Sequence, residues 1–229
     1  MGITEQVFDL YQDRPRAALL MSGLGSNAEA ILSSEKLRDL YDFTVVASDN
    51  SRSNAAEIAA AHKIPSLVQH HGNFADKQER EDYFNNFRQG IASYGAKIAI
   101  YAGFMKIASP TFCEDFPGVN VHPADLTVIG DNGLPKYRGM RALPMMRKDL
   151  REVRSTVHVV DSPVDSGTAI SLSETITPSS MISDNEAHNL LKANEHAVYT
   201  LTLELLGIGK LSPSGMPYGH EELVELQHE

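Results

Sequence analysis

Ala17-Ala18-Leu19-Leu20-Met21-Ser22-Gly23-Leu24-Gly25-Ser26-Asn27 is the stretch that decides how the chain is parsed. An apolar run, Ala17 to Met21, stops at a glycine turn, and beyond it Ala28, Ile31 and Leu32 recur at helical spacing. The pattern predicts strand, glycine turn, helix. Glycines let a backbone approach a ligand closely, and the following helix N-terminus offers free N–H groups and a positive dipole end. Ser26 and Asn27 add side-chain donors. A phosphate suits such a turn, although a tight turn with a helix cap accounts for the same residues. No Lys follows the last glycine, so this is not a Walker loop. Gly23, Gly25 and Ala28, with Asp49 farther on, also meet the relaxed dinucleotide fingerprint.

Working outward, the same alternation repeats. Phe43 to Ala47 and Ile64 to Val68 read as strands, with an Ala-rich helix from Ser53 to His62 between them. Asp76 to Tyr94 is an amphipathic helix, with Tyr83, Phe84, Phe87 and Ile91 on one face. Lys97 to Tyr101 is a largely apolar strand, as expected where both faces are covered. Strands alternating with helices indicate a parallel α/β sheet. Past a soft seam near residue 115 come short strands at Val119 to His122, Ser155 to Asp161 and Thr168 to Thr175. A last helix is expected from Asp184 to Leu206. Residues 1–15 read as an N-terminal extension and 207–229 as a C-terminal tail.

Composition bounds the function. The 229 residues are 42% hydrophobic and 22% charged, enough for a substantial core. A net charge of -10 argues against nucleic-acid partners, which need a basic face. The one cysteine, Cys113, excludes an internal disulfide and fits a reducing compartment. The first residues have no apolar core of a signal peptide, and no run of 18 apolar residues would span a membrane. A cytoplasmic protein is therefore expected, as a monomer or a homodimer.

Two further constellations can carry chemistry. In Asn120-Val121-His122-Pro123, residues two apart share one face of a strand, so Asn120 and His122 point together. Asn can donate to a developing oxyanion, and His titrates near neutrality. In His158-Val159-Val160-Asp161 through Val164-Asp165-Ser166-Gly167, Asp165 falls in a turn. Placed beside His122, it would orient that ring and raise its proton affinity. A His fixing a loop and an Asp bonding its own turn are the plainer readings. Gln69-His70-His71-Gly72 has no third ligand nearby, so no metal is expected.

Taken in order, these segments resemble the glycinamide ribonucleotide formyltransferase family over roughly residues 16–206. Ser22 to Asn27 is similar to its phosphate turn, Ala102-Gly103-Phe104-Met105-Lys106-Ile107-Ala108-Ser109-Pro110 to its folate-side turn, and Asn120 to Pro123 to its catalytic strand. Thr156 through Gly167 resembles its aspartate segment, and Glu195-His196-Ala197-Val198-Tyr199 part of its closing helix. The resemblance implies a Rossmann-like, mostly parallel twisted sheet with helices on both faces, the formyltransferase fold. It implies transfer of a formyl group from 10-formyltetrahydrofolate to a phosphorylated amine, glycinamide ribonucleotide, in purine biosynthesis. By the same resemblance Asn120, His122 and Asp165 are catalytic. Gly25, Ser26 and Asn27 hold the acceptor's phosphate, and Lys192 and Glu195 the rest of that acceptor. Arg80, Lys106, Ile107 and Ala108 line the folate side.

The chain departs from that family in three places. Residues 124–134 contain an insertion of about eight residues, in a loop where specificity is often carried. Met140-Arg141-Ala142-Leu143 replaces a His-containing stretch, and Lys106 stands where an Arg is common. Alternatives are a formyltetrahydrofolate hydrolase, a formyltransferase acting on another amine such as an amino sugar, and a non-catalytic nucleotide-binding module. Hydrolases of that type carry an N-terminal regulatory domain, for which residues 1–15 are too short.

Overall fold

The computed structural model describes residues 2–178, 182–213 and 215–229. Its strands are β1 (Arg16–Met21), β2 (Asp42–Ser48), β3 (Ser66–Val68), β4 (Ile98–Tyr101), β5 (Gly118–His122), β6 (Thr156–Val159) and β7 (Ala169–Leu172). Its helices are α1 (Ile3–Leu10), α2 (Ser26–Ser33), α3 (Glu35–Leu40), α4 (Ala55–Ala61), α5 (Lys77–Ser93), α6 (Pro110–Asp115), α7 (Ala142–Asp149), α8 (Asp184–Gly207) and α9 (His220–His228). The strands form one sheet in the order β3-β2-β1-β4-β5-β6-β7. The first five pair in parallel; β6 and β7 are antiparallel. This is the mostly parallel α/β sheet that the sequence predicts.

Both faces are covered, which explains the continuous apolar runs. Along β1, Ala17, Leu19 and Met21 enter one core, and Ala18 and Leu20 enter the other. The first core takes Ile31 from α2, Leu37 from α3, Ile58 from α4 and Val198 from α8. The second is aromatic, with Tyr83, Phe84 and Phe87 of α5 against Phe112 of α6. A third, smaller core gathers Ala124, Tyr137, Leu143, Met146, Val153 and Leu191 beneath the inserted segment. There Val128 and Lys136 pair through the backbone, closing a hairpin-like excursion around residues 129–135. Asp125 anchors its base, accepting from Arg154 Nε at 2.7 Å.

The two end segments, expected as an extension and a tail, are packed elements, leaving aside Met1 and Ser214, which lie outside the described residues. In α1, Val7 and Phe8 are buried in the first core, and so is Tyr11 at its C-terminal cap. The Tyr11 hydroxyl donates to Ala99 O at 2.6 Å and accepts from Val119 N at 3.1 Å, so it stitches β4 to β5. At the other end, Tyr218 pairs with β7, exchanging bonds of 2.9 Å with Ile170 and Leu172, and Leu223 of α9 is buried. Few apolar residues mark either segment, so burial here follows from tertiary packing. Tyr11→Phe leaves two buried backbone groups without their partner, which costs about 1–3 kcal/mol. Urea unfolding should show that loss; a midpoint equal to wild type would mean α1 adds nothing to the fold.

Candidate active site

The glycine turn lies at the carboxyl end of β1. Gly25 has φ +81°, a left-handed conformation that favours glycine. A Cβ there would also lie 2.6 Å from Met21 Cε and collide with Ile58 Cδ1. The turn is held from below. Ser22 Oγ donates to Asp49 Oδ1 and accepts from Met105 N at 2.7 Å, and Asn50 Nδ2 donates to Ser22 O at 2.8 Å. Asp49 is 5% exposed and engaged in this way, so it braces the turn. No side chain caps α2, which leaves the N–H groups of its first turn open. Asn27 carries a buried amide oxygen with no partner among the described residues.

Asn120 and His122 lie on one face of β5, as their spacing predicts. The antiparallel register sets Asn120 opposite His158 and His122 opposite Thr156. His122 Nδ1 is 3.5 Å from Asp165 Oδ2, so the structure brings together the pair that sequence could not place. Asp165 adopts φ +51° and accepts from Gly139 N at 2.7 Å. His122 Nε2 lies 3.0 Å from Tyr137 O. A carbonyl can accept but not donate, so Nε2 carries the proton and the second proton would enter on Nδ1, facing Asp165. Burial lowers the proton affinity of His122, while Asp165 and the Tyr137 carbonyl act the other way.

His158, quoted in the sequence motif without a role, is part of this cluster. Its Nδ1 is 2.9 Å from Val159 O and must be the donor there. Burial pushes its pKa down to about 4, against the pull of Asp165, so near neutrality the ring is uncharged. Its Nε2 is then an acceptor, and Asn120 Nδ2 donates to it at 3.2 Å. That bond fixes the amide of Asn120 and leaves its second N–H for another acceptor. A His opposite an Asn could be noticed only by someone who already knew that β5 and β6 pair antiparallel.

The other expected residues fall in two places. Arg80, Lys106 and Ile107 line a cavity of about 350 Å³ with Asp49 and Phe74; Ala108 is not in its wall. Lys106 Nζ donates to Gly72 O and sits 4.4 Å over the Phe74 ring. His71, from the adjacent pair of histidines, is tied to Glu79 at 3.4 Å and packs on Phe74 and Tyr83. Glu195 is 4% exposed on α8 and accepts from Ser155 Oγ at 3.3 Å, with His188 Nε2 at 3.7 Å. No hydrogen bond or ion pair among the described residues joins Lys192 or Glu195 to Asn120, His122 or Asp165. The link is through β6, where Ser155 precedes Thr156, the register partner of His122. A larger depression, about 800 Å³, is lined by Arg147, Lys148 and Arg151 near the start of α8 and holds none of the expected residues.

Hydrogen-bond donors converging beside a buried His–Asp pair, at the carboxyl edge of a parallel sheet, make a site for acyl transfer through an oxyanion. The sequence profile described as "Formyl transferase" matches residues 15–203, and the chain belongs to that family. It is 27% identical over 201 residues to the phosphoribosylglycinamide formyltransferase of Haemophilus influenzae, covering 86% of this chain and 89% of that one. It is 32% identical over 167 residues to the trifunctional purine biosynthetic protein adenosine-3 of Drosophila melanogaster, covering 70% of this chain but spanning 12% of that protein's length. Among solved structures, the phosphoribosylglycinamide formyltransferase from Bacillus halodurans superposes with a TM-score of 0.70 at 26% identity, over 83% of this chain and 94% of that one.

Glu195 gives a pH test of the site. Burial pushes its carboxyl up to about 7 from an ordinary 4.5, against Ser155 and Lys192. Between those values the folded chain holds more protons than the unfolded one. The contribution of Glu195 to stability therefore falls as pH rises through that window. Glu195→Gln should flatten this part of the profile, read as urea midpoints at about pH 5 and about pH 7.5. An unchanged slope would remove Glu195 as the group responsible.

Proposed function

We propose that the chain transfers a formyl group from 10-formyltetrahydrofolate to the amine of glycinamide ribonucleotide, in purine biosynthesis. The observation that carries the reading is Asn120 and His122 on one strand face with Asp165 3.5 Å from the His122 ring. The names of the full-length relatives support the acceptor. The folate donor supplies the formyl carbon. Its cavity fits a ligand with an acidic tail, because Arg80 Nε is buried there without a partner among the described residues. The open N–H groups of Gly25, Ser26 and Asn27 would take the acceptor's phosphate, with Lys192 and Glu195 farther along it.

The chemistry is direct attack of the amine on the formyl carbon. The oxygen becomes an anion as the carbon becomes tetrahedral. The free N–H of Asn120 and the Nε2–H of His122 stabilise it, the anion competing with the Tyr137 carbonyl for the latter. Asp165 favours the charged form of His122 and receives, directly or through water, the proton leaving the amine. The tetrahedral intermediate then collapses, the bond from the formyl carbon to the folate nitrogen breaks, and that nitrogen takes up a proton as tetrahydrofolate leaves. The chain works in the cytoplasm as a monomer or a homodimer, without nucleic-acid partners. No described helix is long and apolar enough to cross a membrane. One observation favours a second acceptor, another amine such as an amino sugar: the inserted segment is anchored over its own small core beside Tyr137.

Deformylation of 10-formyltetrahydrofolate followed by absorbance, with and without glycinamide ribonucleotide, tests the reading. Turnover should require the acceptor; turnover without it would mark a hydrolase, and none with either would turn attention to other amines or to a binding module. His122→Ala and Asp165→Asn should each lower turnover by about two orders of magnitude or more, with only modest effects on stability. Near-normal rates in either variant would end the mechanism.

A further inference from the structure

Two of three consecutive residues touch the catalytic pair, and the one between them touches its neighbour. The Tyr137 carbonyl takes the Nε2–H of His122 at 3.0 Å, and the Gly139 N–H holds Asp165 at 2.7 Å. Between them, Arg138 donates from Nε to Pro135 O at 2.9 Å and from Nη1 to Val164 O at 3.3 Å. Val164 immediately precedes Asp165. Among the described residues, the hydrogen bonds joining residues 161–166 to the rest of the protein come from Arg138 and Gly139. The other bonds of that loop, Ser162 N to Asp161 and Ser166 Oγ to Pro163 O, are internal to it.

We propose that Arg138 is a positioning residue, which holds the loop carrying Asp165 against His122 by gripping the Val164 carbonyl. The inference rests on the roles given to His122 and Asp165 above. The segment it grips from is itself fixed. Tyr137 is buried in the third core, and Lys136 Nζ pairs with Asp149 at 2.7 Å. Arg138 therefore ties a turn holding a left-handed Asp to a segment anchored in the third core. The grip needs a fork. Nε and Nη1 point to two carbonyls in the preset geometry of a planar group, whereas a Lys ammonium is a point charge on a flexible stem and does not hold its donors in that arrangement.

The sign of one shift separates this role from a plain charge effect. His122 faces the Asp165 carboxylate at 3.5 Å, the neutral His158 ring at 6.3 Å between centroids, and the Tyr137 carbonyl. Removing a nearby cation such as Arg138 would by itself favour the charged imidazolium. Letting Asp165 drift away disfavours it. The proposal therefore expects His122 to titrate lower without the guanidinium, by about half a unit or more.

The experiment is an NMR titration of labelled histidine in wild type, Arg138→Met and Arg138→Lys, with His122 assigned from the His122→Ala spectrum. His122 should titrate lower in the Met variant, with Lys between Met and wild type. In the formyl-transfer assay, kcat should fall about tenfold in Arg138→Met with KM for both substrates within about twofold. A His122 titration that is unchanged or higher in both variants overturns the proposal, as does a normal kcat. If Arg138→Met does not fold, Arg138→Lys keeps the charge and decides the matter alone. If wild type shows no transfer, the functional reading fails while the titration still tests the grip.

Discussion

The antiparallel pairing of β5 with β6 is the constraint on which the site depends. The sheet is parallel up to β5, so the carboxyl ends of its strands lie along one edge. Reversing direction at β6 brings the start of that strand back to the same edge. It sets Thr156 beside His122 and His158 beside Asn120. From there the chain runs on through the turn that delivers Asp165. A parallel β6 would have set neither Thr156 beside His122 nor His158 beside Asn120.

Much of this was legible because it is local. The apolar stripe of α5 at Tyr83, Phe84, Phe87 and Ile91 specifies a helix face, and those four residues are buried. Ser183 with Glu186 forms a capping box at the start of α8, which was expected to begin at Asp184. Asn120 and His122 share a face because strands alternate. What could not be read was non-local. Asp165 lies 43 residues from His122 and reaches it through a strand reversal and a left-handed turn. His158 was visible as a residue of a strand, but its role depends on which residue stands opposite. The hydrogen bond that Glu195 accepts comes from Ser155, just ahead of β6 and 40 residues away in sequence. Helices α1 and α9 escaped for a related reason: Val7, Phe8, Tyr11 and Leu223 are too few to signal burial before the cores they fill are known.

Charge in the molecule is arranged against its average. A protein of net charge -10 presents open backbone N–H groups at the glycine turn and Arg80 with Lys106 at the neighbouring cavity. Anionic ligands are thus met by dipoles and single cations at fixed positions, without a broad basic surface. The inserted segment follows the same economy of contacts. A pair between buried Asp125 and part-exposed Arg154, with a handful of apolar side chains, fixes its base, which leaves its tip free to vary in sequence.

The pairing of Tyr218 with β7 has a consequence for the molecule among its neighbours. A strand at the rim of a sheet offers unpaired backbone groups to any extended chain that meets it, and that is a route to edge-to-edge aggregation. Here the protein's own backbone occupies that rim at Ile170 and Leu172. The opposite rim, β3, is three residues long and gives little purchase for another strand. The sheet is closed to strand addition at one end by a segment of its own chain and at the other by brevity.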